Sequence, residues 1–398
     1  MDAPSPSPVP GPSPAPGPNP APGPRPAAGL RPAVTELRLS AFASHRGAAF
    51  RLGPVTLFAG PSGSGKSQAL RACEALARLG SGAGLGEVFP DPAECVPERT
   101  GVDAQGRRGF RLGCAVDGPA GRVRLDLAVQ AEPELRVVGE RLTSDGRTLL
   151  STALRDPARS VVQAAWHTAG SATVTRAPLP DDRLGTALLP LRVAGRTDGE
   201  LRVLAAAEQV VLGLRSVFPC DPQPPLMREP VAPGEGRLRR GCDNLAAVLH
   251  RTRSECGRRH ARLIEVARAG CAGPVSDVGV EELPDGTVRA VLGRAAGRRA
   301  TPLGRLGDGE LRYLALALVL LTGPGVLAMD QPAEVPGALQ SLTVLADGLD
   351  RCLDRAQLRE LASLAGEICA GGHVRLVGAV SDSTSVRGIE GVTVVDLV

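Results

Sequence analysis

Lysine is almost absent: of 46 Lys and Arg residues, only Lys66 is lysine. No second lysine exists to build an Asn-Lys-x-Asp segment, which excludes the usual guanine-reading element. Aromatic residues make up 2% of the chain, with one Trp and one Tyr, so the core must be assembled from Leu, Val and Ala, and Trp166 and Tyr313 are expected to pack in it. The nine cysteines show no Cys-x-x-Cys spacing, and the five histidines (45, 167, 250, 260, 373) show no ligand pairing. That pattern excludes a zinc site or a disulfide framework and leaves reduced thiols as the expectation. A formal charge of +4 over 398 residues provides no global argument for nucleic acid or membrane. The longest apolar run, Tyr313 to Leu321, is about half the roughly 20 residues of a membrane span. No charged-plus-apolar leader pattern opens the chain. The expectation is a soluble, cytoplasmic protein that does not engage a membrane. No internal repeat is present.

What is abundant first is proline: residues 1 to 32 hold 13 of the 36 prolines, the pattern of a disordered, extended tail. From Thr35 alternation predicts a strand to Ser40 and a second over Ala48 to Leu52. Val55 to Ala59 reads as a buried strand, and Ser67 to Leu79 as a helix stopped by Gly80. Antiparallel hairpins are expected across Gly109 to Val116, Arg122 to Val129 and Leu135 to Gly139. Residues 151 to 196 resist assignment. Helices follow over Glu200 to Arg215, Asn244 to Arg253 and Arg258 to Ala269, then strands over Val275 to Leu283 and Thr287 to Leu292. The C-terminal part reads as a helix from Glu310 to Leu321, a strand from Gly325 to Met329, a helix near Ala356 to Ala370, and strands over Val374 to Val380 and Val392 to Leu397.

Gly60-Pro61-Ser62-Gly63-Ser64-Gly65-Lys66-Ser67 fits the P-loop pattern without a mismatch, between an apolar strand and an amphipathic helix. Glycines there allow successive N–H groups to turn toward one anion, and the helix N-terminus adds its positive end. Lys66 would reach the β- and γ-phosphates of ATP, and the Ser67 hydroxyl would ligate Mg2+. The composition sharpens this: lysine survives at the one position where a compact ammonium fits and a planar guanidinium does not.

Further on, Leu306-Gly307-Asp308-Gly309-Glu310 resembles the signature of ABC-type ATPases, and Gly325 to Asp330 resembles their Walker B strand. The order of these motifs is similar to that of RecF-like and SMC-like heads, and more closely to the predicted bacterial AAA-type (AAA_21, RecF/SMC-like) ATPases. In the latter, a start like Leu37 to Phe42 and segments like Asp221 to Arg228 and Cys242 to Leu245 recur. The resemblance spans residues 35 to 398. It implies an α/β P-loop NTPase of ABC/RecF-like head type with an antiparallel β subdomain and a helical insertion. Core parts would cover about 33–98 and 300–398, with a β/helical insertion over about 99–299. The insertion lacks sustained heptads, which argues for a compact lid over a long coiled coil. The resemblance also implies that Gly307, Asp308, Gly309 and Glu310 contact the γ-phosphate held by a second subunit, hence an ATP-dependent homodimer, and that Asp330 holds Mg2+ through water.

Three departures qualify the resemblance. Gln331 stands where the family's catalytic Glu is expected, with Glu334 as a nearby substitute; an amide orients water but is a poor base. Val380 stands where a His or Gln would touch the γ-phosphate. Gly307 replaces the signature serine. Together they imply tight binding with slow hydrolysis, in DNA maintenance or phage defence by resemblance, with an effector encoded by a neighbouring gene. The alternative is a catalytically inactive pseudo-ATPase scaffold that binds nucleotide and docks protein partners. Eight arginines between Arg237 and Arg262 offer a surface for DNA phosphates, though without interleaved aromatics for base stacking. The resemblance also implies that His45 and Arg46 lie near the adenine or phosphates, with a plain surface role as the alternative.

Overall fold

The structure, a computed structural model, describes residues 31–398 except 168–173, 235, 296–297, 330–334 and 338. The expected proline-rich tail lies outside the described residues up to residue 30. Its last two residues are docked, with Arg31 donating to the Gln340 carbonyl at 3.0 Å and the Ser341 hydroxyl to the Pro32 carbonyl at 2.7 Å.

The first strands are β1 (Ala33–Phe42), β2 (His45–Arg51) and β3 (Val55–Ala59), followed by helices α1 (Lys66–Gly80) and α2 (Leu85–Val88). A run of hairpins gives β4 (Arg108–Gly118), β5 (Gly121–Glu132), β6 (Arg136–Ser144), β7 (Arg147–Ala153), β8 (Val161–His167) and β9 (Val174–Pro180). Then come α3 (Gly185–Leu188), α4 (Asp198–Arg215), β10 (Val217–Pro219), α5 (Pro224–Met227), α6 (Leu245–Glu255) and α7 (Gly257–Gly270). The chain closes with β11 (Val275–Glu282), β12 (Val288–Arg294), β13 (Thr301–Pro302), α8 (Asp308–Leu321), β14 (Leu342–Ala346), α9 (Arg355–Ala370), β15 (Val374–Val380) and β16 (Val392–Asp396).

Three sheets result. The largest has eight strands, ordered β2-β1-β4-β5-β6-β7-β8-β9, and is antiparallel throughout. Strands β4 to β9 thus continue the sheet that β1 and β2 begin. Residues 151 to 196, unreadable in sequence, supply β8, β9 and α3. Alternation sends Leu37, Leu112, Leu125 and Leu142 to one face, where α1 and α4 cover them. A small antiparallel sheet, β11-β12-β13, packs on α6 and α7.

The third sheet, β10-β14-β15-β3-β16, is wholly parallel. Its central strands read as continuous apolar runs because both faces are covered; all five residues of β3 and of β14 are buried. It divides the molecule into two cores. Val55, Leu57, Val344 and Leu376 join the core built with α6 to α9, while Phe58, Leu345 and Val377 join the core of α1, α4 and the antiparallel sheet. Trp166 and Tyr313 are packing residues, at 4% and 1% exposure. All nine cysteines are free. Among the described residues no helix is long and apolar enough to cross a membrane.

One buried carboxyl ties the antiparallel sheet to α3. The Glu140 carboxylate, on β6, accepts from the Gly185 and Thr186 N–H groups at 2.7 Å each, and from the Thr186 hydroxyl. Burial pushes this carboxyl above its ordinary value, against the pull of those donors. A raised value means that the folded state binds the proton more readily. The group's contribution to stability is therefore fullest below about 4.5 and declines as pH rises through the folded value. Glu140→Ala strands three buried donors and is expected to cost about 2–4 kcal/mol of unfolding free energy in a urea melt at neutral pH; a loss under about 0.5 kcal/mol would show that water replaces the carboxylate.

Candidate functional site

Parallel α/β sheets place ligands beyond the carboxyl ends of their strands, beside the position where chain direction across the sheet reverses. Here that position is β3, flanked by β15 and β16, and residues 60–67 leave its carboxyl end. Gly60, Gly63 and Gly65 carry φ of 153°, 85° and 94°, so the left-handed region is needed at the last two. A Cβ on Gly60 would lie 2.2 Å from the Leu397 carbonyl oxygen, and one on Gly65 2.7 Å from His45 Nε2. The β1–β2 turn braces the loop's far end: His45 Nε2 lies 3.0 Å from the Gly65 carbonyl oxygen, and the Gln68 side chain accepts from the Ser44 N–H at 3.0 Å. Arg46 is exposed on the same turn. A cleft of about 720 Å3 beside this turn is lined by Ser44, Arg46, Gln68, Glu98 and Arg99.

Pro61, Ser62, Gly63 and Ser67 are exposed. Lys66 Nζ donates to the Gly60 and Pro61 carbonyls at 2.7 and 2.8 Å, which fixes the one ammonium at the loop. Ser64 Oγ is buried without a partner among the described residues. The Ser67 hydroxyl donates to Asp347 Oδ1 at 3.0 Å. The ammonium beside a loop of left-handed glycines suits a phosphate, and the Ser67 hydroxyl with the Asp347 carboxylate supplies the hard oxygens that fit Mg2+.

Asp347 is not the acid expected from sequence, and the strand expected at Gly325 to Met329 does not form. Pro324–Val326 is a single 3-10 turn, and Leu327 makes only an isolated bridge to Leu238. Asp330, Gln331 and Glu334 lie outside the described residues. The strand that delivers an acid to Ser67 is β14, ending at Ala346 beside β15 and β10. Both segments are apolar runs that end in Asp. The earlier one is flanked by Pro324 and Pro332, which lack the N–H that a ladder needs.

Beyond Asp347, Gly348 has φ +58°, and Asp350 accepts from the Ser381 N–H at 2.6 Å, joining the ends of β14 and β15. Val380 belongs to β15 and is fully buried against the core, so its side chain does not face a phosphate. The first groups past the strand are Ser381 and Asp382.

Gly307 and Asp308 are exposed at the start of α8. Glu310 accepts from the Gly307 N–H at 3.1 Å and the Ala272 N–H at 2.8 Å, and Arg228 donates to Asp308 and the Leu306 carbonyl at 2.8 Å each. Among the described residues no hydrogen bond joins this turn to the phosphate loop. Its ties run instead to the turn after Asp347. Arg312 on α8, at 2% exposure, donates to the Pro222 carbonyl at 2.6 Å, to Asp221 at 3.2 Å and to the Gly348 carbonyl at 3.3 Å. A Cβ on Gly309 would lie 2.2 Å from the Cys352 carbonyl oxygen.

The arginine run from 237 to 262 is largely spent internally. Arg239 pairs with Asp243, Arg240 with Glu74, Arg253 with Asp277, and Arg262 with Glu265 and Glu367. Arg251 and Arg259 share Glu255, and Arg237 donates to the Met329 carbonyl at 3.5 Å. Among the described residues no group of acidic, Cys and His side chains could hold a metal ion by itself.

No protein-family model and no curated protein matches the chain. Solved structures do. An SMC head bound to the C-terminal winged-helix domain of ScpA is similar at 13% identity and a TM-score of 0.48, over 90% of this chain and 91% of that one. The SMC head domain from Thermotoga maritima is similar at 14% identity and 0.41, over 88% and 90%. The Smc head with an extended coiled coil, bound to the C-terminal domain of ScpA and derived from Pyrococcus furiosus, stands at 12% and 0.42, over 88% and 90%.

Proposed function

We propose that this protein is an ATP-binding switch of the ABC-type, RecF/SMC-like head class, which pairs with a second copy when ATP is bound and hydrolyses it slowly. The observation that carries the reading is the convergence of Lys66, Ser67 and Asp347 at the ends of two strands of one parallel sheet. Lys66 would hold the outer phosphates, Ser67 would ligate Mg2+, and Asp347 would orient the water shell of the ion. The bound ion neutralises phosphate charge. The exposed Gly307 and Asp308 turn, with no tie to its own phosphate loop, is free to meet nucleotide on a partner copy. What supports slow turnover is the scarcity of bases among the described residues: Gly348, next to Asp347, has no side chain, and Asp350 is engaged by the Ser381 N–H at 2.6 Å. A role in DNA maintenance or phage defence with a neighbour-encoded effector extends this reading.

The test is solution mass with and without Mg2+-ATP, together with turnover by phosphate release. The expected result is a doubled mass with ATP and turnover well below about 1 s⁻¹. Brisk hydrolysis would overturn the slow-switch reading. ATP binding with an unchanged mass would instead support a scaffold that docks other proteins.

A further inference from the structure

The chain has six Phe, one Trp and one Tyr, and the fold places every one of these rings inside. All of them fall within the described residues, and none is more than 8% exposed. Behind the β1–β2 turn, Phe110 packs edge-on against Phe42 and Phe89, with centroids 5.3 and 5.1 Å apart. His45 is the one ring on the turn itself, and it is already engaged. It packs edge-on against Phe50 at 5.7 Å, and its Nε2 lies 3.0 Å from the Gly65 carbonyl oxygen, a contact that a protonated Nε2 makes as donor. The cleft of about 720 Å3 beside this turn shares Gln68 with the first turn of α1, so it adjoins the phosphate loop. Its polar lining is open to solvent. Arg46, Glu94, Glu98 and Arg99 are exposed, with no side-chain hydrogen bond or ion pair to a described residue. The Gln68 carbonyl accepts from the N–H and hydroxyl of Ser44.

We infer that the nucleotide site takes nucleoside triphosphates as a class: it reads the triphosphate with its Mg2+ and leaves the base unread. This selectivity rests on the phosphate site proposed above. A site selects one base by a slot between fixed aromatic rings, or by buried polar groups that match one base edge and go unpaired with another. Neither device is built here. Every aromatic ring is inside the fold. The exposed acids and guanidiniums of the cleft return to water when a base offers them no partner, so a mismatched base loses little. Arg46 and Arg99 supply the planar groups of the lining, and a guanidinium stacks on any base because every base has a π-face. A guanine reader is missing as well, since Lys66 is the only lysine and an Asn-Lys-x-Asp segment needs another. His45 is then a positioning residue. It steadies the Gly65 carbonyl, at the end of the phosphate loop, and its ring is not available to a base.

The test is calorimetric titration of the full chain with the Mg2+ complexes of ATP, GTP, CTP and UTP, and of tripolyphosphate, which has no base. The four nucleotides are expected to bind within about tenfold of one another, because no buried polar group is left unpaired by a change of base. His45→Ala is expected to weaken all four nucleotides and tripolyphosphate by one common factor of about fivefold, the value of one hydrogen bond. His45→Gln, which keeps an N–H donor on the turn, should restore most of that loss. A spread among the wild-type affinities beyond about tenfold overturns the inference. So does a His45→Ala loss confined to the nucleotides, which would make the ring a base contact. If neither the nucleotides nor tripolyphosphate bind, the phosphate site itself falls, and this selectivity with it, so the two failures are read apart. The wild-type comparison needs no variant, and it decides the matter even where His45→Ala fails to fold.

Discussion

Lys66→Ala is expected to weaken ATP binding about 100-fold or more, the largest effect of any single change in the molecule. The lost group is the only lysine ammonium in the sequence, and charge-assisted hydrogen bonds of this kind contribute about 1.5–3 kcal/mol each. Lys66→Arg should fare little better, because the planar fork cannot reach into a cradle shaped by Gly63 and Gly65. The side chain bonds only to carbonyls of its own loop, so the melting temperature should barely move. Titration calorimetry with ATP reads the result. An affinity within threefold of wild type would mean that the phosphates do not sit on residues 60–67.

Asp347→Asn should reduce the part of ATP affinity that Mg2+ supplies, while leaving affinity in EDTA unchanged. The carboxylate accepts from Ser67 at 3.0 Å, and an amide there would lose the negative charge that holds the hydration shell of a divalent ion. Groups that orient a metal's ligands typically contribute 10–100-fold to its affinity. The Mg2+-dependent gain is therefore expected to fall by about tenfold or more. Asp330→Asn is the companion measurement and should keep the gain. The opposite pattern would reassign the metal-facing acid to residue 330 and remove Asp347 from the site.

The two acids also mark where sequence reasoning reached its limit. The strands Val55 to Ala59 and Val374 to Val380 were readable residue by residue, and the helix between the glycine loop and Gly80 to within one residue at each end, because their signals are local: an apolar run and a period of 3.6. Two apolar runs ending in Asp could not be ranked locally. Only the pairing of Leu342–Ala346 with β15 and β10 separates them, and pairing across a sheet leaves no mark on the strand itself. The three residues of β10 were equally silent, since Val217–Pro219 is too short to show a period. The arginine run shows the same limit. Spacing showed the charges, but their partners come from distant segments, as with Arg240 and Glu74 or Arg262 and Glu367.

The interlock between α8 and the turn after Asp347 has a mechanical consequence. A buried guanidinium and a backbone contact with no room for a Cβ make the first turn of α8 and residues 347–352 one solid piece. Withdrawing Arg312 from its partners would leave an uncompensated charge in the interior, at a cost of roughly 3–5 kcal/mol, so that piece has little freedom to flex internally. A rearrangement that accompanied nucleotide would therefore carry the first turn of α8 and residues 347–352 together. Among the described residues the one direct side-chain bond between the glycine loop and that piece is Ser67 to Asp347, while Leu349 and Asp350 fasten it to β15.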